Sequence, residues 1–215
     1  MTTVQERKAS ERAARRRRIQ DAARVVFTDR GYQGSSIEHI ARQAQLSVGA
    51  IYLYFRSKED LYVSLLEDTL ARFDAELTHL ASEVPVDDRL RAAWAYLVGW
   101  AERDPEGPRI LRLLSQPGVG AQLSEDVTAA IATGLRAVRG HLAAAIASGI
   151  EAGRYRKAAD AEELAAMGWS LLLGTMASMQ TAINLVGTSD DLDTASKRAF
   201  GVLSAALSPA AVASA

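Results

Sequence analysis

The sequence predicts an all-α protein: a small three-helix unit followed by a larger helical domain, about nine helices in total. Three observations carry that expectation. Apolar residues recur every three or four positions along nearly the whole chain, and no sustained two-residue alternation bounded by turn residues interrupts them. Serine and aspartate stand at capping distance ahead of the apolar runs. The 215 residues are 48% hydrophobic and 24% charged, the balance of a chain that buries an ordinary core.

The elements follow in order. Ile19, Ala22, Ala23, Val26 and Phe27 mark a first helix that ends near Gly31. Ser35 precedes Glu38 by three, a capping-box spacing that predicts a second helix over Ile37, Ile40, Ala41 and Ala44. After a short turn, Ser47 caps a third helix from Val48, and Ser57, three before Asp60, caps a fourth. Leu61, Leu65, Leu70, Phe73, Leu77 and Leu80 give that fourth helix one long amphipathic face. Further helices are expected over Leu90–Ala101, around Ile110–Leu114, over Val127–Ile150, from Leu164 to Val186 behind Asp160, and from Leu192 to Leu207. The residues after Pro209 are small and are expected to fray.

Charge is divided along the chain. Residues 1–60 hold 12 Lys and Arg against 7 Asp and Glu, while residues 61–215 hold 13 against 19. A polyanionic partner is therefore expected at the N-terminal quarter. Arg7, Lys8, Arg12 and the run Arg15–Arg18 read as a basic flexible arm over residues 1–14 running into the first helix. That arm is either a solvated tail or a reach toward phosphates or the minor groove, and non-specific phosphate attraction is the favoured reading. Three short helices within about 45 residues, the second and third joined by a three-to-four-residue turn, describe a helix-turn-helix. A generic helical bundle is the alternative, and the charge division favours DNA binding.

The residues themselves sharpen this. Ser35-Ser36-Ile37-Glu38-His39-Ile40-Ala41, followed by Leu46-Ser47-Val48-Gly49-Ala50-Ile51-Tyr52-Leu53-Tyr54-Phe55-Arg56-Ser57-Lys58-Glu59-Asp60-Leu61, resembles the DNA-binding domain of the TetR (tetracycline-repressor-like) regulators. Ala23, Phe27 and Gly31-Tyr32 fit the same pattern, so the resemblance covers roughly residues 16–65. It implies that residues 15–60 form the DNA-binding domain, that residues 61–208 bind ligand and dimerise, and that positions 48–50 touch bases. It also places Ser35 and Ser36 at phosphate, Ser35 being open to a purely capping role.

The chemistry of the third helix agrees. Val48, Gly49 and Ala50 are slim enough to approach a major groove, Tyr52 and Tyr54 carry hydroxyls for phosphates, and Lys58 offers a charged clamp. One of the two tyrosines could instead only pack; Ile51 and Phe55 are core. The candidate DNA-contacting set is thus Ser35, Ser36, Ser47, Val48, Gly49, Ala50, Tyr52, Leu53, Tyr54 and Lys58. Two departures stand out. The turn reads Ala44-Gln45-Leu46 where the family usually has Ala-Gly-Val; glutamine tolerates a positive φ less easily than glycine, so the turn is expected either to differ slightly or to carry some strain. Val48, Ala50 and Leu53 occupy positions that are often polar, so apolar contact with thymine methyls is expected to carry much of the base readout.

Leu164–Ser189 carries no charge over 26 residues, yet Ser170, Thr175, Ser178, Gln180, Thr181 and Asn184 scatter polarity along it and its flanks are acidic. A buried helix at a subunit interface explains it better than a membrane span, with Gly174 and Ser178 allowing close approach. By resemblance, about 162–186 and 192–207 build a homodimer that sets two recognition helices against a palindromic double-stranded DNA operator. The resemblance further implies a small-molecule effector. Its pocket is expected among Trp94, Leu97, Trp100, Arg112, His141, Met167, Trp169 and Met176, with core packing as the competing account of the same residues.

Other function classes lack support. There are no cysteines, and His39, His79 and His141 are scattered singly, so no metal site and no cofactor are expected. No phosphate loop, nucleophile elbow or His-Glu-x-x-His motif is present, so catalysis is not expected. No apolar stretch follows the basic N-terminus, which argues against a secretory signal and for a cytoplasmic protein outside the membrane. The reading is a ligand-responsive DNA-binding regulator, a repressor by the base rate of the family. The alternative is an all-helical carrier or enzyme with an incidental basic end.

Overall fold

The computed structural model describes residues 3–156, 160–186 and 191–208, the side chains of 179–186 excepted. Among them lie ten α-helices and one short 3-10 turn at Gly120–Gln122, with no strand. In order these are α1 (Val4–Arg30), α2 (Ile37–Ala44), α3 (Val48–Tyr52), α4 (Lys58–Ser64), α5 (Glu67–Glu83), α6 (Val86–Arg103), α7 (Glu106–Leu114), α8 (Glu125–Glu151), α9 (Ala161–Val186) and α10 (Leu192–Leu207). They form two compact units. The first is the chain up to Asp68 with Leu113–Ile131, and the second is Thr69–Arg112 with the chain from Ala132 onward.

Within the first unit, α1 packs on α2 and α4, and α2 on α3. Ile19, Ala23 and Phe27 of α1, Ile40 of α2, Ile51 of α3 and Leu61 of α4 are all fully excluded from solvent. Burying a side chain such as Phe27 contributes roughly 2–3 kcal/mol each, which holds three helices that are individually too short to persist in water. Ser47 and Ser57 cap α3 and α4 as expected, accepting from the backbone N–H groups of Ala50 (3.1 Å) and Asp60 (2.9 Å).

Three local expectations are revised. The N-terminal segment expected as a flexible arm is the first part of α1. Thr3 and Glu6 form a reciprocal capping box, Arg7 pairs with Glu11 one turn on, and Ala, Arg, Lys and Glu are strong helix formers, so the helix runs well beyond its apolar face. The cap of α2 is Ser36, not Ser35: the Ser36 hydroxyl accepts from His39 N–H at 3.4 Å. Ser35 turns inward and donates to the Gly31 carbonyl at 2.6 Å, relieving an orphan acceptor at the end of α1. Finally, the single long helix expected over Leu61–Leu80 is divided at Leu65–Leu66 into α4 and α5. There the backbone tightens to i→i−3 bonds, and α1 supplies donors to the released carbonyls. Gln20 reaches Ser64 O at 3.1 Å and Arg24 reaches Leu65 O at 3.3 Å.

In the second unit α10 packs on α9 and α6. A Cβ at Gly168 of α9 would stand 3.0 Å from Leu203 Cδ2 of α10, so the two helices meet over a small residue. Leu90, Leu97, Val138 and Ile146 form the core, and Trp100 sits edge-on to Phe73, ring centroids 4.9 Å apart. No helix among the described residues is long and apolar enough to cross a membrane.

Candidate nucleic-acid interface

The helix-turn-helix is built from α2, the turn through Gln45, and α3. Gln45 holds φ 54° and ψ 48°, the left-handed conformation that the Ala44-Gln45-Leu46 departure implies, and it is the one non-glycine residue at positive φ among those described. Its N–H and that of Leu46 close the C-terminus of α2 on the carbonyls of Arg42 (3.1 Å) and Ala41 (2.9 Å). The chain then re-enters a helix at Ser47. That placement sorts the side chains of α3 and of the three residues that follow it. Ile51 and Phe55 point into the core, while Tyr52 is 53% and Leu53 72% exposed, large apolar surface that nothing among the described residues covers. Val48 and Ala50 are half-buried, Gly49 is exposed, and a Cβ at Gly49 would meet no atom within 4 Å. The outer face of α3 is therefore slim at its N-terminal end and bulky at its C-terminal end.

The expected phosphate ligands separate. Ser36 and Ser47 are caps whose hydroxyls lie at helix N-termini. Ser35 is buried and engaged with α1, so it does not face an incoming strand. Lys58 is also engaged inside: its ammonium donates to the carbonyls of Tyr32 (3.0 Å) and Ser35 (3.2 Å) and lies 4.2 Å from the centre of the Tyr32 ring. The α1–α2 loop leaves those carbonyls without helical partners, and a cation is the strongest donor within reach. Tyr54 is half-buried, with the Arg12 guanidinium 5.2 Å over its ring.

A partly buried electrostatic frame holds these elements. Tyr32 stacks on Tyr62 at 4.8 Å and donates its hydroxyl to the Glu59 carboxylate. Burial, then that hydrogen bond, pushes the Tyr32 hydroxyl well above its ordinary value. Burial works against the Glu59 charge, but hydrogen bonds from Tyr32, its own backbone and Ser57, with Lys58 nearby, hold it below the ordinary carboxylate value. Arg16 makes a two-pronged ion pair with Glu67 at 2.5 and 2.6 Å, which raises its already high pKa. Asp60 has no exposed surface. Its carboxylate accepts from Arg56 N–H (2.8 Å) and from both the N–H and hydroxyl of Ser124 (2.9 Å each).

The residues expected to line one effector pocket do not converge. Leu97 is core, Trp100 packs on Phe73, Arg112 and Met167 are exposed, and Trp169 is buried. His141 pairs with Asp74 at 2.8 Å and borders a small cavity of about 50 Å³, whereas Trp94 borders a groove of about 550 Å³ between α6 and α10. Met176 is half-buried. Trp100 and Trp169 are buried in the core, while Trp94 borders the α6–α10 groove.

Comparison with known proteins bears on the same residues. Residues 19–65 match the model of bacterial regulatory proteins, tetR family. The transcriptional repressor NicS of Pseudomonas putida is 31% identical over 159 residues, 71% of each chain. This protein belongs to the tetR family. The tetR-family match is strongest at the N-terminus. The regulator HbdR of an Aromatoleum strain is 37% identical over 93 residues, and that match spans only 41% of HbdR. The Bacillus subtilis fatty acid metabolism regulator is 44% identical over 55 residues, 28% of its length. The fold extends further: the crystal structure of Bacillus subtilis FadR with stearoyl-CoA superposes with a TM-score of 0.65 at 23% identity, covering 88% of this chain and 98% of that one. The family model is one of bacterial regulatory proteins, and the residues it matches contain the helix-turn-helix of α2 and α3.

Proposed function

We propose that this regulator is a homodimeric repressor that reads a palindromic operator with the outer face of α3. A small molecule bound in its second unit releases it. The observation that carries the reading is the sorting of α3 and the residues just after it: Ile51 and Phe55 buried, Gly49 open, Tyr52 and Leu53 exposed, behind an αL turn. Val48, Gly49 and Ala50 approach base edges, with apolar contact to thymine methyls supplying discrimination, and Tyr52, Ser36 and Ser47 hydrogen-bond phosphates. The chain to about residue 60 is the DNA-binding domain and residues 61–208 the ligand-binding and dimerisation domain. Met167 and Val202, exposed on α9 and α10, support a dimer through 162–186 and 192–207. Gly174, with open space around it, allows a partner helix to approach closely. The likeness to an acyl-CoA-bound FadR makes long-chain acyl-CoA thioesters the first effectors to try.

The test is selection of bound sequences from a random duplex library. Wild type enriches a two-fold symmetric motif; Tyr52→Ala weakens it, and Val48→Ala with Ala50→Gly relaxes it at the thymine positions. A protein that enriches nothing at low salt, or variants that enrich the same motif equally well, overturns the reading. An effector added at 100 times its Kd stabilises the protein by about 2.7 kcal/mol, read as a raised melting temperature, and disperses the complex.

A further inference from the structure

The basic residues ahead of the helix-turn-helix are not equivalent. Arg7 pairs with Glu11 and Arg16 with Glu67, so two of the seven are satisfied within the chain. Lys8, Arg12, Arg15 and Arg18 are exposed, and no ion pair to any of them is present among the described residues. Their spacing of four, three and three places them on one stripe of α1, because a helix turns once in about 3.6 residues. The stripe lines a groove of about 590 Å³ together with Ala14, Tyr54 and a single acid, Glu11, which is already paired. Its lower end is joined to the helix-turn-helix. Arg12 lies over Tyr54 just past α3, and Arg18 donates to the Gln45 side chain in the αL turn at 3.4 Å.

We propose that this groove is a second DNA contact, a rigid sequence-independent clamp on the sugar-phosphate backbone flanking the bases that α3 reads. A flexible tail would lose conformational entropy on binding, whereas α1 presents its cations already ordered. From Lys8 to Arg18 the helix rises about 15 Å, the axial length of about four base pairs. Guanidinium forks match phosphate geometry, and the Tyr54 face holds the Arg12 fork in place. The proposal rests on the DNA-binding reading for its partner but not on operator recognition, since phosphates carry no sequence.

The test uses the full-length protein on a duplex of random sequence, with affinity measured by fluorescence anisotropy across salt concentrations. Lys8→Gln/Arg12→Gln/Arg15→Gln is compared with Arg17→Gln/Arg30→Gln/Arg139→Gln, which removes the same charge away from the groove. Loss of the groove contacts lowers the slope of log affinity against log salt by about 0.9 for each phosphate released, and the control leaves it near wild type. Arg12→Lys/Arg15→Lys keeps the slope, and unchanged helicity by circular dichroism shows that α1 is still folded. Equal slopes for the groove variant and the control overturn the proposal. So does a groove variant whose selected motif changes at particular bases, because the contact is then a base reader. If no motif is enriched by wild type yet the groove variant alone loses slope, the operator reading fails and the clamp stands.

Discussion

At Gln45 a single residue holds a conformation that glycine adopts without penalty and glutamine does not. The left-handed region costs an L-residue roughly 1–2 kcal/mol, while glycine adds about 0.4–1 kcal/mol of unfolded-state entropy. Gln45→Gly is therefore expected to stabilise the protein by about 0.5–1 kcal/mol in urea denaturation, and an equal or lower midpoint would contradict the strain. Tyr32 is a second case. Its hydroxyl has an ordinary pKa of 10.0 and is raised in the folded state. The folded protein thus holds that proton more tightly than the unfolded chain does. The resulting stability is complete below pH 10 and is lost as pH rises from there. Tyr32→Phe should lower stability at neutral pH by about 1 kcal/mol through the lost Glu59 hydrogen bond. It should also flatten the decline above pH 10 in melting curves.

The helices depend on tertiary partners more than on their own sequences. The N-terminus of α4 is bolted to the segment before α8 by Asp60, which has no solvent contact and whose carboxylate accepts two hydrogen bonds from Ser124. Asp60→Ala leaves three donors in place without their acceptor, and at about 1–3 kcal/mol for each buried donor left unsatisfied a loss of about 3–5 kcal/mol is expected. Equilibrium denaturation measures it; a loss below about 1 kcal/mol would show that water replaces the carboxylate. In the second unit, α7 meets α6 where a Cβ on Gly107 would lie 2.0 Å from Trp100 Cζ2. Gly107→Ala forces that indole to move and should cost about 1–3 kcal/mol, visible as a lower melting temperature.

At the scale of the whole molecule, the proposed reading of a palindromic operator needs two copies. Val202 is 65% and Met167 57% exposed, and both stand on the α9–α10 pair. A charge there meets a matching apolar face in a two-fold dimer, because such an interface is self-complementary. Val202→Glu is expected to shift sedimentation toward the monomer at micromolar concentration and to abolish symmetric operator binding, while leaving the α1 groove's salt-dependent affinity for random DNA in place. A variant that sediments as a dimer would move the interface elsewhere.

The all-helical class, the caps at Ser47, Ser57 and Asp160, the αL turn at Gln45 and the inward set Ile51 and Phe55 were legible in the sequence, because each depends on residues within one or two helical turns. Tertiary contacts decided the rest. Ser35 and Lys58 read as phosphate ligands until the carbonyls of the α1–α2 loop and the Tyr32 ring claimed them. The break between α4 and α5 came from Gln20 and Arg24 donating across to its carbonyls. The basic arm became a helix through a capping box at Thr3, a signal present in the sequence but without the apolar repeat that marks a helix. The tryptophans of the second unit could not be divided between core and pocket, since both need the same residue types at the same spacing. Local hydrogen bonding and periodicity are written in neighbouring residues, whereas the partner of a side chain tens of positions away is chosen only when the chain has folded around it.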